Sequence, residues 1–488
     1  MHPTGMFCAI PSRVAVGEPF FLKLRLLGKP RVIAPNCWWS QPRPALATPF
    51  NLNTSRQIRF LDNCLPEWTG DLHVAGDGLD GPKTITFDGT NQGVYVGDHR
   101  PVGTFGPFRW TTPGFHFLRI SDPGSGVDCL ANAAYATPTP PAWRIYWGDP
   151  HWQTYFSDGI RAPEELYQFA RDEGFLDFGA ISDHVEAITD RQWEYFVAVT
   201  NDYNEPGRFA TLVGQEWTNH EPGHRNIYYR ADHGPVLRST DPRYDTLPKL
   251  WQALDAVADL QPLAIPHHSA NQTMGVDWEL GWNPRYEKAV EIYSVWGSSE
   301  RHENAGNTRP IRALGGEVRG QHVIDALARG YRLGFVGGGD VHDGRPGEAL
   351  HAQSYPPMEH VPWPQGLTAC LAPELTREGI FDAIAEQRTY ATTNSRTYLD
   401  ASWRPDGDRL VLSLAAASHQ GINEAIIVHN GHAAATLPSS RDDGLVLEGQ
   451  WRSPPLAPDD YLYVRICTTR DEWAWSSPVW PEGGSQAQ

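Results

Sequence analysis

Seven short apolar runs recur between residues 144 and 393, and helical stretches fill several of the gaps between them. The runs are RIYWGD (144–149), DFGAISD (177–183), ATLVGQE (210–216), PLAIPH (262–267), AVEIYS (289–294), LGFVGGGD (333–340) and RTYATT (388–393). The helical stretches read APEELYQFARDEG, TLPKLWQALDAVADL, GQHVIDALARG and TREGIFDAIAEQ. In the first of these Pro163 stands near the first helical position and Gly174 at the C-terminal cap, where each residue type suits the backbone. Strands that alternate with helices predict a parallel sheet. Seven of them favour a closed or nearly closed β/α barrel over an open doubly wound sheet. No Gly-x-Gly-x-x-Gly opens a helix after the first strand, which argues against a dinucleotide fold.

The flanks have a different pattern. Residues 1–140 carry short alternating runs such as RVAVGEPFFLKLRLLG, KTITFDGT, QGVYVGD and GFHFLRISDPGSG, each closed by turn residues. The Pro-rich segment ATPTPPAW (136–143) reads as the linker that ends this unit. Residues 396–488 return to short strands, in LVLSLAAAS, NEAIIVHNG, YLYVRICTT and WAWSSPVW. The expected organisation is an N-terminal sandwich-like β-domain over 1–140, a β/α barrel over 144–395, and a C-terminal β-rich domain over 396–488. The pair Trp38-Trp39 falls in the first unit and is read as core packing rather than as the wall of a cleft or an interface.

Bulk composition narrows the partners. The chain has 488 residues and a net charge of −18. Nucleic acid and anionic membranes are bound through clustered Lys and Arg, so neither is an expected partner and a small-molecule substrate is. An anionic substrate needs a local positive charge to offset that field. The 19 Trp residues must fill cores or line a pocket. No apolar run approaches the ~20 residues that span a bilayer. The start, MHPTGMFCAIPSRVAVGEP, lacks a basic region followed by a long apolar one. The six Cys, at 8, 37, 64, 129, 370 and 467, form no C-x-x-C pair. They are read as reduced, buried thiols of a cytoplasmic protein.

The chemistry gathers where the apolar runs end. The first gives Asp149 and His151, with Asp158 just beyond; the second gives Asp183 and His184. The third gives Glu216, followed by GHRN at 223–226; the fourth gives His267 and His268; the sixth gives Asp340 and His342. In a parallel barrel the strand C-termini converge on one mouth. A single Asp or His after a strand is ordinary turn chemistry. Four or more strands ending this way point to a shared metal site. Imidazole mixed with carboxylate suits Zn, Mn or Fe, and six to eight ligands imply two or three divalent ions rather than one.

Taken in order, these residues resemble the PHP superfamily, named after its polymerase and histidinol-phosphatase members. DPHWQTYFSDG follows the family's D-L-H-x-H-T and S-D-G motif apart from the Leu and the second His, which here is Gln153. ISDH, LVGQEW, AIPHH and GGDVH match the later motifs, RTYATT and AWSSPVW also look like this family, and His224-Arg225-Asn226 resembles the signature of a branch with an N-terminal β-domain. The resemblance covers 144–400 strongly. It implies a distorted seven-stranded β/α barrel with two or three metals and hydrolysis of phosphate esters. One ion would take His151, Glu216 and Asp340, with Gln153 in place of a His. Glu216 would bridge to a second ion held by His267 and His224, and a third would take Asp158, His184 and His342.

Several side chains keep two readings. Gln153 is a weak ligand or a hydrogen-bonding neighbour of one. Glu291 is a distal ligand or orients a His, and Asp149 and Asp183 support the ligands beside them. Arg225 grips an anionic substrate or forms a salt bridge to a barrel carboxylate, and Arg345 is a second anion candidate. His268 lines the pocket, and His224 or His268 protonates the leaving group. The expected function is metal-dependent hydrolysis by a metal-activated hydroxide, first of a phosphate ester. The alternatives are an amide, ester or lactone bond, or a metal-stabilised binding protein that is not an enzyme.

Overall fold

The computed structural model describes residues 2–33, 60–65, 68–90, 101–159, 161–348, 363–393 and 395–481. Trp38, Trp39 and Cys37 lie outside them. The described chain is mixed and strand-rich, with few helices. Among the described residues the N-terminal part is all β. Gly5–Ala9, Phe20–Ile33, Val102–Trp110, Leu79–Asp80 and Phe60–Cys64 form one sheet, and Val127–Leu130, Arg119–Asp122, Gly70–Ala75 and Thr84–Phe87 a second. Alternating apolar positions such as Leu22, Leu24, Leu72, Ile85 and Ile120 fill a core of its own with Phe108 and Trp110.

The middle of the chain departs from the regular βα alternation read from the sequence. Strand Arg144–Trp152 pairs in parallel with Phe178–Ile181, which pairs in parallel with Ala210–Thr211. Val213–Trp217, Arg225–Tyr229 and Pro262–Pro266 form a separate antiparallel sheet. Ala289–Ser294 and Gly334–Gly337 form a parallel pair. Two isolated parallel bridges, His184↔Glu216 and Trp152↔Val341, join these pieces. A regular (β/α)7 barrel is not shown. The expected seventh strand, Thr389–Thr392, runs antiparallel beside Leu367–Ala372 and Trp473–Ser476 instead.

The strands are buried on both faces, which explains why they read as continuous apolar runs rather than alternating ones. Every residue of Phe178–Ile181, Ala289–Ser294, Gly334–Gly337 and Leu367–Ala372 is buried. The four expected helices form, at Pro163–Asp172, Leu247–Asp255, Val323–Ala328 and Arg377–Ala385. A fifth, Asp190–Asp202, begins on a reciprocal cap: Thr189 Oγ1 accepts from Gln192 N and Thr189 N donates to Gln192 Oε1. It buries Trp193, Phe196 and Val199 on one face.

A nine-stranded sheet starts at Ala210–Thr211, passes through Arg144–Trp152 and ends in the C-terminal strands Leu462–Thr468, Ile422–His429 and His432–Pro438. It therefore crosses residue 395. Buried polar contacts fasten the same parts together. Glu300 Oε1 accepts from Tyr463 Oη at 2.6 Å and Arg465 Nε at 3.0 Å, and its Oε2 from Trp475 Nε1 at 2.9 Å. Arg25 of the N-terminal unit pairs with Glu173 at 3.3 Å and Glu348 at 2.9 Å. Cys8, Cys129, Cys370 and Cys467 are free thiols; of these four Cys370 is buried and the other three are half-buried. Among the described residues no helix is long and apolar enough to cross a membrane.

Close packing at Gly179 gives a test of this arrangement. A Cβ there would lie 2.1 Å from the ring of Trp152, which is fully buried. Overpacking of this kind costs about 1–3 kcal/mol. Gly179→Ala is expected to melt several degrees below wild type in a thermal scan, and an unchanged melting temperature would contradict the close contact.

Candidate metal centre

The strand directions bring the polar residues to one edge. Arg144–Trp152 carries Asp149 and His151 near its C-terminal end, and Phe178–Ile181 leads into Asp183 and His184. Val213–Trp217 contains Glu216, and Pro262–Pro266 runs straight into His267 and His268. Arg225–Tyr229 is antiparallel to both of these, with Arg225 opposite Trp217 and opposite Pro266. His224, at its start, thereby reaches the same edge as the ends of its neighbours.

Glu216 is the hub. Its side chain is 1 % exposed. Oε1 accepts from His224 Nδ1 at 2.7 Å and His267 Nε2 at 3.1 Å, with His184 Nδ1 at 3.4 Å. Oε2 accepts from Gln153 Nε2 at 2.7 Å and lies 3.5 Å from His151 Nε2. Burial opposes the charge of Glu216, but the imidazoles of His184 and His267 outweigh it and hold the carboxyl well below its ordinary range. Glu216, His224, His267 and His268 are all buried, with one ligand atom from each within 4.8 Å of the others. Asp158, His184 and His342 form a second such group. His342 Nε2 lies 3.3 Å and His184 Nε2 3.7 Å from Asp158 Oδ1.

His151 tests whether these residues fit a cation. Its Nδ1 donates to Glu291 Oε2 at 2.9 Å, so in the neutral ring Nε2 carries a lone pair. That Nε2 has no hydrogen-bond partner and lies 3.2 Å from Asp340 Oδ1. A lone pair that faces the carboxylates of Asp340 and Glu216, away from water, is repulsive unless a proton or metal ion sits between them. Burial disfavours protonation, yet Asp340 and Glu291 raise the imidazole well above its ordinary value. His268 goes the other way: burial, His267 and His224 hold it well below. Its Nδ1, like that of His267, has no hydrogen-bond partner. The donor set therefore fits divalent metal binding.

The surrounding backbone is built around close approach. Asp340 and His268 both have positive φ, at 47° and 33°, a left-handed conformation that side chains disfavour. Asp149 Oδ1 accepts from His151 N at 3.0 Å and Gly339 N at 2.7 Å, which ties the first strand to the Asp340 loop. A Cβ at Gly338 would strike Glu291 Oε2 at 1.9 Å, and one at Gly339 would strike Asp149 Oδ2 at 2.2 Å. Asp183 Oδ1 accepts from Thr154 N at 2.9 Å, Thr154 Oγ1 at 3.0 Å and the Ser157 hydroxyl. Burial pushes Asp149 up to about 8 and Asp183 up to about 6.

Of the alternatives left open by the sequence, the geometry brings several to one side. Gln153 is a hydrogen-bond donor to Glu216, with Ser157 Oγ 3.0 Å from its Oε1. Glu291 orients His151. His224 and His268, read as proton donors to a leaving group, stand with Glu216 and His267 in a group that could hold a metal ion. Arg225, read as an anion grip or as one half of a salt bridge, forms the salt bridge, while its buried Nη2 has no hydrogen-bond partner. It is fully buried, its Nε donates to Glu287 at 3.1 Å, and its Nη1 donates to the carbonyls of Pro222 at 2.6 Å and Gly223 at 2.8 Å. Arg345 is also buried, with Nη1 3.7 Å from Glu348 Oε1.

Three contacts were missed in the sequence. His220 Nδ1 lies 3.0 Å from His224 Nε2, Thr218 Oγ1 2.6 Å from His184 Nδ1, and Trp296 Nε1 donates to Asp340 Oδ2. The first had a signal in the His-x-x-x-His spacing of HEPGH; Trp296 had none, because it lies 44 residues from its partner.

Residues 163–305 match a family of proteins of unknown function, DUF3604. That span contains His184, Glu216, His224, His267 and His268. An uncharacterized protein of Chlamydia pneumoniae is 27% identical over 383 residues, which cover 72% of this chain and 58% of that protein. An uncharacterized protein of Chlamydia muridarum is 26% identical over 367 residues, covering 69% and 57%. The chain thus spans under two thirds of the length of these relatives. Among solved structures, a two-domain protein from Bacteroides vulgatus containing a predicted PHP-like metal-dependent phosphoesterase is similar, with TM-score 0.36 and 14% identity over 67% of this chain and 91% of that one.

Two outcomes follow from the centre. Glu291→Gln is expected to weaken metal affinity about 10–100-fold, the usual effect of losing a partner that orients a ligand His. Titration of the metal-free protein checks it, and wild-type affinity would remove Glu291 from the site. The second concerns pH. In metal-free protein burial disfavours charge on Asp158 and His342, but their mutual attraction wins: Asp158 falls to about 2 and His342 rises to about 10. A His raised above its ordinary 6.5 stabilises the fold fully below that value and loses its contribution as pH climbs toward 10. The melting-temperature difference between metal-free wild type and His342→Asn should therefore shrink from pH 6.5 to pH 10. A difference that stays constant or grows would contradict the pairing.

Proposed function

We propose that this chain is a metal-dependent hydrolase whose centre is built on Glu216, and that the interrupted ring of strands around it is a distorted PHP-type barrel between two β-rich parts. The observation that carries the reading is the buried convergence of Glu216, His224, His267 and His268 beside the Asp158–His184–His342 group. Imidazole with carboxylate favours Mn, Zn or Fe over a soft thiolate site. Two or three such ions, when bound, supply water activation and stabilise charge that develops on the substrate.

The protein's own part is positional. Glu291 and Asp149 hold His151 and its loop. Thr154 and Ser157 fix Asp183, and with it the turn that carries Asp158. His220 is exposed while its ring touches buried His224, so it can pass a proton between the cluster and solvent. The substrate is a small molecule reached in the cytoplasm, first of all a phosphate ester. The withdrawal of Arg225 into its pair with Glu287 favours a second reading. An uncharged amide, ester or lactone needs no cationic grip, and Tyr155, half exposed in the loop between Gln153 and Asp158, offers such a substrate an aromatic surface.

The deciding experiment loads the protein separately with Mn, Zn and Fe and assays phosphomonoesters, phosphodiesters, amides and lactones. Phosphomonoester turnover that disappears in Asp340→Ala, together with its metal, is the expected result. Turnover of amides or lactones alone would transfer the function to the second reading. Protein that purifies with at most a trace of transition metal and hydrolyses nothing would leave a binding role.

A further inference from the structure

A second cavity lies at the other end of the same strands. It has a volume of about 430 Å³ and sits where the N-terminal unit meets strand Arg144–Trp152 and the turn before Phe178–Ile181. Tyr146 and Trp147 line it from the start of the strand that carries His151 near its other end. Asp177 lines it just before the strand that leads to His184. The metal centre and this cavity are thus separated by the length of those strands.

Charge in the cavity is unbalanced. Most of its ions are already paired: Arg13 with Asp400 at 2.8 Å, Arg144 with Glu18 at 2.7 Å, and Arg208 with Glu205 at 2.7 Å. Lys23 and Arg396 are not, among the described residues. Arg396 is 6 % exposed, and its Nη2 donates only to the carbonyls of Gly174 at 2.8 Å and Phe175 at 3.0 Å. Burial pulls Arg396 down to about 10, and pulls Lys23 below its ordinary value too, with only partial relief from Asp177. Asp177 itself accepts from Trp147 N at 2.9 Å. Two cations against one carboxylate leave one positive charge in excess, in a chain whose net charge is −18. Buried charges are ordinarily paired.

The walls supply the other half of the recognition. Phe20, Trp147 and Phe175 give an apolar lining, and Phe21 stands half exposed at the rim, at 50 %. A large aromatic left in water beside a cationic cavity is accounted for if a flat apolar group covers it. We propose that this cavity binds a small aromatic monocarboxylate, with the carboxylate against Lys23 and Arg396 and the ring against Phe21 and its neighbours. One excess charge matches a monoanion better than a phosphate dianion. The site is independent of the metal centre and of the reaction proposed for it.

Calorimetric titration of the full-length, metal-loaded protein with 2-naphthoate tests this. Binding at one site is expected, weakened about tenfold or more in Lys23→Met and clearly in Phe21→Ala, with metal content unchanged in both. The neutral analogue 2-naphthalenemethanol and inorganic phosphate should bind at least about tenfold more weakly than naphthoate. Arg396→Met is the less clean variant, because it also frees two carbonyls; among the described residues the side chains of Lys23 and Phe21 make no hydrogen bond to another element. Failure of naphthoate to bind, or equal affinity in wild type, Lys23→Met and Phe21→Ala, overturns the proposal. Binding to the metal ions would give the latter result. Phosphate that binds as tightly as naphthoate overturns the carboxylate assignment.

Discussion

A carboxylate with almost no access to water, ringed by imidazoles, is the constraint on which the centre of this protein rests. Glu216 is contacted by His184, His224, His267 and His151, which come from four different segments. A buried charge without partners costs several kcal/mol, so each segment is held where its ring can reach. The parallel bridge His184↔Glu216 and the antiparallel register of Arg225 with Trp217 and Pro266 are the backbone side of the same requirement. Polar chemistry and strand pairing over-determine one another here, which is how a strained φ at Asp340 and His268 persists.

The outer contacts show the same economy. Glu291, Asp149 and Asp183 are buried acids, and none of them faces a described Lys or Arg. Each is used to fix a ligand or the loop beside it, and the glycines at 338 and 339 exist because those acids come too close for a side chain. The ends of the strands are therefore specialised. One end is packed with acids and imidazoles; the other, around Lys23, Asp177 and Arg396, holds an excess of cation. A doubly buried sheet lies between them and sets them apart by the length of its strands.

Much of the centre was legible because its residues end apolar runs. Asp149, His151, Asp183, His184, Glu216, His267 and His268 all sit at or just beyond strands whose burial made them continuous in sequence. The β/α barrel was less legible. Arg225–Tyr229 is short, polar at its start and antiparallel, so it did not read as a strand, and without it the position of His224 at the mouth had no structural reason. Leu367–Ala372 did not read as a strand although it is wholly buried and apolar apart from Thr368, nor did Asp190–Asp202 read as a helix although Thr189 and Gln192 form a readable cap. Thr389–Thr392 was counted as a barrel strand because period and burial do not reveal direction. Arg225 could not be placed at all, since only the fold shows that Glu287 waits beside it.

Gln153 shows how one residue shifts the balance of such a centre. A His at that position would add a ring nitrogen; the amide instead donates to Glu216 Oε2 and occupies an acceptor site on the shared carboxylate. On that side of Glu216 the remaining donors are His151 and Asp340, and Asp340 is further engaged by Trp296. On the other side stand His224, His267 and His268. Both oxygens of the shared carboxylate are hydrogen-bonded, Oε2 by an amide and Oε1 by imidazoles. The Oε1 side of the carboxylate is therefore richer in imidazole than the Oε2 side. One amide among the imidazoles, small in sequence, makes the two sides of the carboxylate chemically unequal.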